Sequence, residues 1–430
     1  MKGRAKILAV SIAGSLSLLA SAGVIYAQQD ALSNSNVQPQ SDAALLKHGR
    51  WVFRYDTFGD EITWTDKLHM NEVIQGDPAQ GLPGVSPATA LAVGLKVDVD
   101  ALPSAVKEGI VDGTLDLNSP ATTLALLKLN AVLGLQGVVK DVQGKPMLTR
   151  LGVTCALCHS TVDDSFAPGI GHRLDAWPNR QLNPGAILAL SPAFTVAQKK
   201  QLNSWGPGKY DARWNVDGLS DPTVIPPAYG LKGVHRHVFT GDGPNLSYWN
   251  RYVAVTQLGG QGVFSDPRLG THLDPATPGL RPGWTPGILV ANGNKDRVSA
   301  ALPALQAYQL SIAAPPPPAG SFDPAAARAG KAVFRQAGCA SCHSGPTLTD
   351  ANVRLHSPMA TPAPDKLYAY RSSTGMWRTT PLHGIWQHPP YFHDGSAKTL
   401  ADVVTMYDTK QNLNLTPEQQ KDLVQYLKSL

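Results

Sequence analysis

Apolar residues recur at helical spacing in several stretches of the chain, each opened or closed by residues that begin or end helices. Ala43 to Phe53 predicts a helix, and Thr122 to Val132 is a strongly apolar helical run. Between them, residues 76–88 are rich in proline and glycine and predict a loop. Asp323 and Pro324 read as N-cap and first residue of a helix that continues through Val333 and Phe334. Near Thr399 another helix begins, with Leu400, Val403, Val404 and Tyr407 on one stripe and Met406 about 100° off it. Thr416-Pro417-Glu418 opens the last helix, whose stripe is Leu423, Leu427 and Leu430. The expected class is mainly α, with long ordered loops drawn from 35 prolines and 40 glycines.

The first 27 residues follow a different pattern. Lys2, Arg4 and Lys6 precede an apolar run from Ile7 to Ala22, with small residues at Ala20-Ser21-Ala22 and Ala27, as in a secretory signal peptide. Cleavage is expected after Ala27, with Ala22 as the alternative. An uncleaved membrane anchor is the competing reading, because the run is close to the shortest that spans a bilayer. No later stretch approaches the roughly 18 apolar residues a span needs. The mature product is therefore expected in the periplasm, without a membrane span. Residues 28–40 are polar and read as a flexible terminus. Without the leader the formal charge falls from +5 to about +2, which is no polybasic surface and excludes nucleic acid as a partner. With 43% hydrophobic and 16% charged residues, the 430-residue chain can bury cores for two or three domains.

Every cysteine falls in one of two pentapeptides, Cys155-Ala-Leu-Cys158-His159 and Cys339-Ala-Ser-Cys342-His343. In an exported chain two disulfides are the first expectation, but the C-x-x-C-H spacing overrules it. Two thiols so placed form thioethers to the haem vinyl groups, and the adjacent histidine is held under the iron. Zinc would need further ligands at similar spacing, and a redox dithiol would not need the histidine. Two covalently bound c-type haems are expected. The chain then divides into a haem-free helical region at 28–150, a first haem domain at 151–312 and a second at 319–430. The stiff spacer Pro315-Pro316-Pro317-Pro318 separates the last two. Two helices crossing around a haem would make each a cytochrome c-like domain.

An internal repeat supports two related units. Pro227-Ala-Tyr-Gly230-Leu followed by Phe239-Thr-Gly-Asp242-Gly243 matches Pro381-Leu-His-Gly384-Ile followed by Phe392-His-Asp394-Gly395. The segments Arg378-Thr-Thr-Pro-Leu-His-Gly384, Pro390-Tyr-Phe-His-Asp-Gly395 and Thr399-Leu400 resemble the C-terminal haem domain of bacterial di-haem cytochrome c peroxidases and MauG-type proteins, a superfamily shared with haem rubber oxygenases. The resemblance covers the second haem segment well, the first loosely, and does not reach residues 41–150. It implies a peroxidase-like oxidoreductase. A small donor protein, such as a monohaem cytochrome or cupredoxin, would deliver electrons to the second haem, and peroxide would be reduced at the first. A pure electron carrier and a haem oxygenase are the alternatives. The resemblance also raises calcium between the haem domains, for which the chain has no local motif.

The sixth position on each iron decides the chemistry, since a filled one suits electron transfer and an open one admits peroxide or oxygen. After the second motif the resemblance points to Met406, the peroxidase choice, or Tyr407, the MauG choice; Met359 is the remaining methionine considered. After the first, the candidates are His172, His235, His237 and His272, or no residue, which matches the open peroxidatic haem of the relatives. Peroxide cleavage also needs a distal acid–base group. The relatives supply a glutamate between their motifs, but here no glutamate lies between residues 109 and 417. Asp242 is the substitute considered, against a structural turn role for it and for Asp394. Trp177, Trp205, Trp214, Trp249 and Trp284 are candidate electron relays, with core packing the default. His388, His393 and Arg378 are candidates to line the haem or bind its propionates. The segment Arg173–Arg180 is a candidate wrap around the first haem.

Overall fold

The computed structural model describes residues 42–77, 79, 81–272 and 287–430. The leader, the polar segment 28–40 and Trp284 lie outside the described residues. The chain divides into Met1–Leu45, of which only residues 42–45 are described, and Leu46–Leu430. Among the described residues no helix is long and apolar enough to cross a membrane.

Helix α1 spans Asp42–Tyr55, with an acid in its first turn and Arg54 in its last, both favourable to the helix dipole. Helix α2, Pro120–Lys128, is shorter than the apolar run predicted, because Asn130 takes a left-handed φ of 52° and ends it. The chain then forms a hairpin that the sequence pattern did not signal, β1 (Leu135–Val142) against β2 (Lys145–Val153). Its two-residue turn, Gln143-Gly144, has φ of 54° and 78°, the doubly positive geometry that matches strand twist. This hairpin runs directly into the first C-x-x-C-H. The described sheets are all two-stranded, so helices and loops carry the architecture.

Helix α1 and three of the remaining helices form two matched crossings. Helices α3 (Leu246–Tyr252) and α4 (Leu302–Ser311) follow the first motif. Helix α5 (Pro324–Gln336) opens the last segment with Asp323 as N-cap, and α6 (Leu400–Gln411) and α7 (Pro417–Lys428) both start from capping boxes. Where α5 crosses α7, a Cβ on Gly330 would lie 1.9 Å from the Asp422 carbonyl oxygen. One turn on, Phe334 meets Tyr426 edge-on at 5.2 Å. Where α1 crosses α4, a Cβ on Gly49 would lie 1.9 Å from the Ala304 carbonyl oxygen, and Phe53 meets Tyr308 at 5.8 Å. The helices share a written pattern, Gly49-Arg-Trp-Val-Phe-Arg54 and Gly330-Lys-Ala-Val-Phe-Arg335. The glycines of the repeat match too: Gly230 donates to Ile312 O just after α4, and Gly384 to Leu430 O just after α7, each at 2.8 Å.

A boundary at residue 151 would separate α4 from the helix it crosses. Helix α1 packs against the segment that carries the first motif, and residues 56–154 intervene between it and Cys155.

A buried ion network ties the two segments together. Arg371 donates to Asp211 through both terminal nitrogens at 3.0 Å and to Asp217 at 2.8 and 2.9 Å, while Arg213 pairs with Asp242. Both arginines lie against the Tyr368 ring. Arg371→Met should strand Asp211 and Asp217 as buried charges and destabilise the protein by about 3–5 kcal/mol, measured by denaturant unfolding. A loss under about 1 kcal/mol would mean that solvent already screens the network.

Candidate haem sites

The two motif histidines are held alike. His159 Nδ1 lies 3.1 Å from Pro226 O, and His343 Nδ1 lies 3.2 Å from Leu348 O. A carbonyl only accepts, so each Nδ1 carries the proton, the tautomer through which an imidazole ligates a metal by Nε2. Burial favours the neutral ring, pushing His159 down to about 4 and lowering His343 as well. None of the four cysteines is paired in a disulfide, and burial pushes the Cys155 and Cys158 thiols up to about 12. Beside the first motif, strand Arg173–Asp175 pairs with Ser160–Val162, and Asn179 N donates to Cys158 O at 2.8 Å. The Arg173–Arg180 segment therefore does run alongside Cys158 and His159.

Both copies of the repeat wall a cavity of about 550 Å³. Cys339, Cys342 and His343 line one side, with Phe334 of α5, Val403, Val404 and Tyr407 of α6, and Leu423 and Leu427 of α7. Pro226, Tyr229 and Arg180 enter from the first segment, so the carbonyl that fixes His159 borders the same space. The cavity is apolar except for groups suited to an anion. Arg180 Nε and Nη1 and Arg378 Nε are buried with no hydrogen-bond partner among the described residues. Burial draws both guanidinium groups down to about 10. Two cations buried without carboxylate partners are costly unless an acid joins them. An apolar disc carrying two carboxylates, as haem does, fits this wall and its free histidine.

On α6 the apolar stripe wins. Tyr407 lines the cavity, its phenol pushed up to about 12 by burial first and the Cys339 thiol second. Met406, the residue favoured from family precedent, instead packs into the apolar cluster of α5, α6 and α7. The helix aims one of these neighbours at the cavity and the other about 100° away. Met359 is 58% exposed on the surface.

Asp242 is also not where a distal acid is needed. It is fully buried, accepting from Ser373 N and Oγ on one oxygen and from Arg213 and Thr240 on the other. One oxygen is in an ion pair with Arg213 and the other is held by Ser373, so both are engaged in structural contacts. Asp394 caps its own turn, accepting from Ser396 N.

None of the first-segment histidines lines the cavity. His172 pairs with Asp100 at the surface, His235 is exposed, His272 bonds Ser373 O, and His237 is buried with a free Nδ1. His388 does line it, beside Arg180 at 3.4 Å, and burial pushes it down to about 3. Trp177 lies between the two copies of the repeat, 6.4 Å from Tyr229 and 6.0 Å from Trp386. Tyr229 in turn donates to Gly384 O. Trp205 and Trp214 stack in a separate cluster, and Trp249 packs on Tyr252. Sequence reasoning passed over Tyr229, Asp365 and Trp377; Tyr229 carried a signal, since it stands inside the repeat.

Residues 327–430 match the family model described as cytochrome c. No curated protein matches the chain. Among solved structures it is similar to a MauG-like protein associated with microbial copper homeostasis, at 22% identity and a TM-score of 0.24, covering 30% of this chain and 56% of that one. It is also similar to hydrazine synthase of Kuenenia stuttgartiensis, at 17% identity and a TM-score of 0.33, covering 50% of this chain and 74% of that one. The chain thus spans little more than half of the MauG-like protein.

Tyr407→Phe should change the visible spectrum of the oxidised, haem-loaded protein, whereas Met406→Leu should leave it unaltered. A change confined to Met406→Leu would reverse the assignment of the cavity-facing residue.

Proposed function

We propose, for a chain whose residues 327–430 are a cytochrome c domain and whose motifs resemble di-haem peroxidases and MauG-type proteins, an exported di-haem c-type cytochrome with peroxidase-like oxidoreductase activity. The observation that carries this reading is the matched pair of histidines, each with Nδ1 on a backbone carbonyl and each in a unit built on the same glycine crossing. Haem bound at the two motifs supplies one-electron chemistry at iron and, where a sixth position is open, a place for peroxide.

The residues divide that work. At the second motif His343 and Tyr407 face one cavity, so two side chains there could serve as iron ligands. At the first motif His159 has no such counterpart. Counting from the N-caps Asn245 and Thr399, Val253 stands where Tyr407 stands, and it offers no ligand atom. The first haem is the open one in this reading. Trp177 and Tyr229 lie between the two copies of the repeat as the aromatic path, and Arg180 and Arg378 neutralise propionates. A small donor protein, a monohaem cytochrome or cupredoxin, would deliver electrons to the second motif.

A second reading, a haem oxygenase, is favoured by one specific observation. Asp242 is consumed structurally and no glutamate lies between the motifs. The acid–base group that peroxide cleavage requires is therefore missing from the places where it was sought.

The test is the visible spectrum of dithionite-reduced protein with and without carbon monoxide, together with a haem count. Two haems per chain are expected, one lost in the double variant Cys155→Ala/Cys158→Ala and the other in Cys339→Ala/Cys342→Ala. Carbon monoxide should perturb one haem of two, the one that Cys155→Ala/Cys158→Ala removes. Peroxide turnover with reduced cytochrome c then separates the peroxidase from the oxygenase. No perturbation by carbon monoxide would replace both with an electron carrier.

A further inference from the structure

We propose that His393, held by Asp365, carries a proton for the cavity at the second motif and takes it up when the iron there is reduced. This rests on the di-haem reading. His393 is only 5% exposed and lies on the cavity wall. Three contacts fix its ring: Nε2 is 2.8 Å from Asp365 Oδ2, Trp377 stacks on it at 4.1 Å, and Phe239 meets it edge-on at 6.3 Å. Asp365 is itself held by Leu367 N at 3.1 Å. With Nε2–H directed at the carboxylate, Nδ1 is the basic nitrogen, and it makes no hydrogen bond among the described residues.

A carboxylate–histidine pair on the wall of a mainly apolar cavity is not needed for packing. Behind Asp365 lies a second acid. Asp221 has an Oδ2 that is buried without a partner among the described residues, and burial together with the nearby Asp365 pushes it up to about 7. The other charged groups around the pair are already engaged. Lys209 donates to Asp394 O, Lys366 to the carbonyls of Thr361 and Ala363, and His356 pairs with Asp350 behind Trp377. Arg378 sits on the same wall and Arg371 near Asp221, both as fixed cations.

The step balances simply. Reduction adds one electron at iron, and a proton from solvent binds His393 Nδ1 to give an imidazolium whose Nε2–H still faces Asp365. No other bond forms or breaks. The reduced state favours the imidazolium, so the potential falls as pH rises. The slope approaches 59 mV per pH unit, the one-electron equivalent of a tenfold change, across the window in which one proton accompanies one electron. Outside that window the potential is flat.

The experiment is a spectroelectrochemical titration of the full di-haem protein from about pH 5 to about pH 9, the range in which histidine titrates. One haem should show the sloping window. His393→Gln should flatten it, and Asp365→Asn should move it to lower pH by removing the imidazolium's counter-charge. A slope kept in His393→Gln, or lost instead in His356→Gln, would overturn the proposal, as would flat potentials in the unmodified protein. Should His393→Gln fail to take up haem, Asp365→Asn decides alone, an unmoved window sinking the idea. A chain with no haem on Cys339 and Cys342 would sink the di-haem reading with it, whereas two haems of pH-independent potential would sink only this proposal.

Discussion

Two helices can touch backbone to backbone only where one of them carries no side chain. At Gly49 and Gly330 that condition is met, and a single methyl group at either would overlap a carbonyl of the facing helix. The close approach sets the angle at which the helices cross and brings Phe53 against Tyr308 and Phe334 against Tyr426 one turn further on. In the second unit it also fixes the wall that Phe334, Leu423 and Leu427 present to the cavity. Widening the crossing would move all of these together, because close-packed interiors transmit displacement rather than absorb it.

Around that frame two sets of buried polar groups contrast. Asp242, Asp211 and Asp217 are used, by Arg213 and Arg371. Arg180 and Arg378 are left with free nitrogens on the cavity wall. The contrast separates residues that hold the chain together from residues that await a cofactor. It also explains why an aspartate beside a glycine turn was a poor guide to chemistry: its partner, Arg213, is distant in sequence and the pair is invisible without the fold.

The haem motifs were legible because covalent attachment demands a fixed local spacing, and the caps at Asp323, Thr399 and Thr416 because capping is local too. The stripe on α6 already identified Tyr407 as inward-facing; precedent for methionine as a ligand was set above periodicity, and periodicity was right about which side chain meets the cavity. Helix α1 was legible as a helix but not as a partner of α4. The repeat had been sought downstream of the cysteines, whereas Gly-x-x-Val-Phe-Arg lies upstream of them. The hairpin β1–β2 went unseen because its turn is Gln-Gly, a weaker signal than Asn-Gly, and its strands alternate only in part.

The intervening residues 56–154 also have a kinetic meaning. Gly49 and Ala304 are well over twice as far apart along the chain as Gly330 and Asp422. Closing the longer loop costs about 1 kcal/mol more entropy, and non-local contacts form late when such a loop must close first. The C-terminal unit, with its crossing helices close in sequence, is therefore placed to assemble early. The other waits for its distant halves to meet, and Cys155 and Cys158 stay accessible for longer.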